Sequence, residues 1–140
     1  MSETDFAAFE GKNPGDRTIM HVLYGLHTLA PFTMLTYAVE GQTGKQFVAT
    51  KKLLFAAPEQ AHALLDKLTE TVIAYLRGQV AAGAQALQLF DSWVGVLGVE
   101  DFTTFAAPYL QRVLTALRPL GVPLIYFANG GAALLEEVGK

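Results

Sequence analysis

Asp91 and Ser92 close a short apolar run in the stretch AGAQALQLFDSW, Ala82 to Trp93. In parallel α/β proteins, side chains at the carboxyl end of a strand face the crevice where ligands bind, so this pair is a candidate for substrate contact. Ser92 offers a neutral donor suited to an anionic oxygen, although a loop serine serves equally to cap or close a turn. Asp91 reads as a capping or pH-insensitive polar group at the same mouth rather than as a base. A second candidate, Tyr37, stands in the charge-free segment Thr18 to Val39, where a ring most often packs in a core with its hydroxyl satisfied.

Other polar groups give weaker patterns. The stretch GQTGK, Gly41 to Lys45, invites a phosphate-loop reading that fails. The first glycine of such a loop would fall at Val39, and Gln46 stands where Ser or Thr must meet magnesium. His21, His27 and His62 show no metal-ligand spacing and no paired acid at a useful interval, so no metal site is expected. His62 is expected to face solvent. A Ser-His-Asp arrangement of Ser92, His27 and Asp91 would need sequence neighbours at both ends of one constellation, which such triads seldom use.

These residues must be positioned by the elements around them. Met1 to Arg17 reads as a polar lead-in, with Ser2 and Asp5 spaced like a capping box and a turn at Asn13-Pro14-Gly15. Ile19 to Leu26 reads as a buried strand, and Thr33 to Val39 as the opening of a helix broken at Gly41 to Gly44. The strongest helix begins at Pro58, with Glu59 at the positive end of its dipole. Its stripe is Ala61, Leu64, Leu65, Leu68, Val72, Leu76 and Val80. Gly83 suits its C-terminal cap, and Ala84 to Phe90 follows as a strand of the kind buried on both faces. A second unit repeats the order: a helix from Pro108 to Leu117, breakers at Pro119 and Gly121, a strand from Val122 to Phe127, and a last helix from Ala132. The alternation of strand and helix implies βαβ crossovers and a parallel sheet.

Composition narrows the classes. The 140 residues are 51% hydrophobic and 16% charged, which fits a folded domain. The net charge is −3 and the ten Lys and Arg build no basic stripe, so a nucleic-acid partner is not expected. The absence of cysteine excludes disulfides and thiolate chemistry and fits a reducing, cytoplasmic setting. Thr18 to Val39 is long enough to span a bilayer, but Pro31, Gly25, two histidines and several threonines dilute it, and no membrane association is expected.

The wording AGAQALQLFDSW, together with PFTMLTYAVEG (Pro31 to Gly41), resembles uroporphyrinogen decarboxylase, and the resemblance runs from about Pro31 to the C-terminus. Both motifs stand in the family's register, with no insertion between Tyr37 and Ser92. The resemblance implies a (β/α)8 barrel. A complete barrel takes about 250 residues, so the expected fold is α/β, a partial barrel sector with about three parallel strands and flanking helices. Residues 1–30 would be an atypical N-terminal segment with one strand at 19–26, and residues 31–140 a partial decarboxylase domain. Open strand edges would favour self-association or pairing with the missing barrel segments.

The resemblance also implies chemistry. The family removes carbon dioxide from four acetate side chains of a cyclic tetrapyrrole, uroporphyrinogen, without a cofactor, giving coproporphyrinogen. The residues it assigns to substrate contact are Tyr37 and Ser92. No catalytic residue carries over, because the family's arginine motif and its strand-end aspartate precede the matched region and its late histidine lies beyond Lys140. Asn129, in FANGG, replaces a lysine of the family. The expected activity is therefore that of a uroporphyrinogen decarboxylase, inactive as this chain alone. A non-catalytic module that pairs through open sheet edges is the alternative. A related corrinoid methyltransferase is disfavoured by the missing zinc ligands.

Overall fold

The computed structural model describes residues 28–41 and 46–138. The expected strand at Ile19–Leu26, the polar lead-in and the inner part of the glycine loop lie outside them. The first described helix, α1 (Pro31–Glu40), starts on a proline whose fixed φ suits a first turn and stops at Gly41, at φ 65°. There the Gly41 N–H closes on the Tyr37 carbonyl at 3.1 Å.

Two helices follow where one was expected. Helix α2 (Val48–Ala56) was not anticipated, and it starts from Phe47, whose φ of 50° is left-handed. Helix α3 (Pro58–Ala81) begins at the expected proline and buries Ala61, Leu65, Thr69, Val72, Ile73 and Leu76 along one stripe. Its end is a Schellman turn: Gly83 N–H bonds the Val80 carbonyl at 2.9 Å and Ala84 N–H the Gln79 carbonyl at 3.0 Å, with Gly83 at φ 106°. Because Ala84 spends its N–H on the helix, strand β1 (Leu87–Asp91) starts later than Ala84.

Beyond β1 come a 3₁₀ turn (Val94–Val96) and an unexpected short helix α4 (Val99–Phe105), then α5 (Ala107–Leu117) close to its expected bounds. A second 3₁₀ turn (Arg118–Leu120) ends at Gly121, φ 70°, before β2 (Leu124–Ala128). The last expected helix is a 3₁₀ turn (Ala132–Leu134) running into α6 (Leu135–Val138).

Strands β1 and β2 pair in parallel, in register from Leu87↔Leu124 to Asp91↔Ala128. On the other edge of β1, Leu29 forms a parallel bridge with Phe90, with Ala30 N–H bonding the Phe90 carbonyl and Phe90 N–H the Thr28 carbonyl. The described sheet therefore has two strands, with residues 28–30 alongside as one bridge of a third position. The helices cover one face of it. Leu87 and Leu89 lie buried with Val72, Leu76, Leu110, Val113 and Leu117, and each such side chain contributes about 1.5–3 kcal/mol on burial. The expectation that the strand ending at Phe90 is buried on both faces is corrected: Leu87, Leu89 and Asp91 of β1 are buried, while Gln88 and Phe90 on the opposite face are half-buried. Ile125 and Phe127 of β2 are each 48% exposed, because no described element packs over that second face.

Candidate functional site

The carboxyl ends of the strands gather residues 28–30, Asp91 to Val96 and Asn129 to Gly131 at one end of the sheet. The segments after β1 and β2 touch there: a Cβ on Gly95 would lie 2.6 Å from the Asn129 carbonyl oxygen and 2.8 Å from the Gly130 carbonyl carbon. Only glycine lets the two backbones approach so closely. Asn129 Nδ2 donates to the Ser92 carbonyl at 3.3 Å and its N–H to the Asp91 carbonyl at 3.2 Å.

Asp91 is 1% exposed and shares the helix-covered face of β1 with Leu87 and Leu89. Its Oδ1 accepts the Thr33 hydroxyl at 2.6 Å and its Oδ2 the Tyr126 hydroxyl at 2.8 Å. Burial pushes its carboxyl pKa up more strongly than these hydroxyls pull it down. The expectation of a pH-insensitive cap at the mouth is corrected. The Tyr126 hydroxyl is pushed up in turn, first by burial and then by the Asp91 charge.

Tyr37 lies against Trp93, the residue that follows Ser92. The Tyr37 ring is 40% exposed and lies edge-on to Trp93 with centroids 6.2 Å apart. Phe47 packs the same indole at 5.2 Å. Ser92, next to Trp93, is half-buried. Glu40, at the end of α1, accepts the Thr50 N–H at 2.7 Å and so caps the first turn of α2 from a neighbouring helix.

The remaining candidates lie elsewhere. His62 does not face solvent as expected: it is half-buried, its Nδ1 lies 2.6 Å from the Tyr109 hydroxyl, and its ring stacks on Phe105 at 4.9 Å. Arg112 pairs with Asp66 and Glu70 between α3 and α5, and Arg77 bonds the Ala116 carbonyl, so both guanidinium groups serve the outer helix pair. His27 lies outside the described residues. Among the described residues no three His, Asp or Glu side chains converge as a metal site, and no helix is long and apolar enough to cross a membrane.

At the strand end, sequence reasoning passed over Thr33 and took Asp91 for a polar cap at the mouth. The signal was present in the alternation Leu87, Leu89, Asp91, which puts the carboxylate on the side of the two leucines.

The family model for uroporphyrinogen decarboxylase (URO-D) matches residues 22–140. Uroporphyrinogen decarboxylase of Desulfotalea psychrophila is 51% identical over 107 residues, 76% of this chain and 32% of that protein. The enzyme of Syntrophotalea carbinolica is 50% identical over 109 residues, 78% of this chain and 32% of its own length. That of Thermus thermophilus is 44% identical, also over 109 residues and 32% of its length. The chain thus spans about a third of the length of the curated relatives it matches. With most of the chain matched and both motifs inside the match, this protein belongs to the uroporphyrinogen decarboxylase family.

Proposed function

We propose that this chain contributes one wall of a uroporphyrinogen-binding pocket, with Tyr37 and Ser92 as its substrate contacts. The observation that carries this reading is the edge-on contact of Tyr37 with Trp93, the residue after Ser92, just past the carboxyl end of a parallel strand. The hydroxyls of Tyr37 and Ser92 are neutral donors for the carboxylates of the macrocycle. In the reaction, a protonated pyrrole ring accepts the electron pair of the C–CO2 bond. Carbon dioxide leaves, a proton adds to the exocyclic methylene carbon to give a methyl group, and the ring gives up the proton it had taken, so that the net change is one carbon dioxide lost and one proton gained. No cofactor enters that sequence.

The chemistry also requires cationic side chains toward the carboxylates and a carboxylate toward the pyrrole N–H groups. Asp91 does not supply the latter, since both its oxygens are taken by Thr33 and Tyr126 on the helix-covered face. Residues 31–140 accordingly act as a partial decarboxylase domain in a cytoplasmic setting, inactive until the other walls are supplied. The test is conversion of uroporphyrinogen by the purified chain, alone and mixed with the remaining two-thirds of a relative's barrel. Coproporphyrinogen is expected only in the mixture. Its formation by the chain alone overturns the shared-pocket reading, and its absence from the mixture at all concentrations counts against complementation.

A second reading, a non-catalytic module that pairs through its sheet, is supported by the exposed Ile125 and Phe127. Under it, Tyr37→Phe and Ser92→Ala leave all binding unchanged. Under the first, each weakens uroporphyrin binding.

A further inference from the structure

Asp91 is a buried carboxylate for which the proposed decarboxylation has no use. Removing a carboxylate from water is costly unless its oxygens are hydrogen-bonded, and this one has two hydroxyl donors, Thr33 at 2.6 Å and Tyr126 at 2.8 Å. The same Thr33 oxygen accepts the Trp93 backbone N–H at 3.2 Å. One hydroxyl therefore grips the chain on both sides of Ser92, through the side chain of the residue before it and the backbone of the residue after it. Thr33 sits in the first turn of α1, and Tyr37 follows four residues later on the same helix face. Thr33 itself is fully buried, and its carbonyl accepts the Thr36 hydroxyl at 2.7 Å.

We infer that Thr33 and Asp91 are a positioning pair that holds the Ser92 segment against α1, setting the separation of the Ser92 and Tyr37 hydroxyls. Neither residue touches the ligand. The ligand side of this inference rests on the proposed uroporphyrinogen pocket, whereas the coupling of loop to helix does not.

Trp93 is the only tryptophan, so its fluorescence reads the gripped segment directly. In the full chain, Thr33→Val keeps the shape and deletes the hydroxyl, Thr33→Ser keeps the hydroxyl, and Tyr126→Phe removes the other donor to Asp91 without touching Trp93. Thr33→Val is expected to raise acrylamide quenching of Trp93 about twofold and to weaken binding of uroporphyrin I, read by its own fluorescence polarisation, about fivefold. Thr33→Ser restores both. Tyr126→Phe lowers the melting temperature while leaving Trp93 quenching near that of the unaltered chain. Wild-type quenching and affinity in Thr33→Val, or an equal rise in Tyr126→Phe, overturns the pair. Should Thr33→Val not melt cooperatively, Thr33→Cys, with its weak thiol donor, decides in its place: a raised quenching supports the pair and an unchanged one overturns it. If no chain, the unaltered one included, binds uroporphyrin I, the pocket reading falls, and the Trp93 arm still decides the coupling.

Discussion

A carboxylate held in an apolar layer, with no cation among its described partners, loses hydration that two hydroxyl donors replace only in part, and for Asp91 the balance leaves its pKa above the ordinary 3.8. The sign follows directly. Below 3.8 the group is neutral in both folded and unfolded chains; as pH rises the unfolded chain ionises first, so stability is lost until pH passes the raised folded value. Asp91→Asn carries no such titration. Denaturant unfolding from pH 4 to 8 is therefore expected to show the unaltered chain losing stability relative to Asp91→Asn as pH rises, then levelling off. A relative gain with rising pH contradicts the burial argument. At this scale the sequence marked Tyr37 and Ser92 through their motifs. Asp91 was misplaced because a strand taken as buried on both faces has no informative alternation, and His62 because its partners Phe105 and Tyr109 lie on other helices.

Elements were legible where their signals are local. Pro58 and Glu59, the apolar stripe and Gly83 bracket α3 within its own sequence, and its observed bounds follow them. Helix α2 lacks such marks: only Thr50 and Leu54 of VATKKLLFA are buried, and its first turn is capped by Glu40 of another helix. A cap supplied across space leaves no local trace. Helix α4 has only Gly98 as its cap residue, with Glu100 and Asp101 in its first turn, too short a run to show a period. The contact between the segments after β1 and β2 is equally non-local, yet it offers a sharp test. In Gly95→Ala the new methyl meets the backbone of Asn129 and Gly130, which cannot rotate away as a side chain would. The variant is expected to lose about 1–3 kcal/mol in denaturant unfolding and to separate the segments that carry Ser92 and Asn129. An unchanged midpoint would mean that the two segments part freely.

At the scale of the whole molecule, one face of the sheet is covered by α3 and α5 while the other presents Ile125 and Phe127, with Phe127 edge-on to Phe90 at 5.8 Å. Nothing local announces this asymmetry, because a strand destined for the inside of a closed barrel and one buried in an open sheet are written in the same apolar residues. Only the resemblance pointed to a barrel, and the match to about a third of the relatives' length is consistent with a sector of one. Apolar area left in water gains about 25 cal/mol for each Å² that a second surface removes, so the open face favours association with a complementary strip, including that of another copy. Ile125→Ser with Phe127→Ser removes this drive at two side chains that are already half in water, and the helix-covered core beneath them is left intact. Sedimentation velocity over a concentration series is expected to show dimers or larger species for the unaltered chain and a predominantly monomeric double variant with the same far-UV circular dichroism. A chain that stays monomeric throughout, or a double variant that associates equally well, would place the adhesive surface elsewhere than on this face.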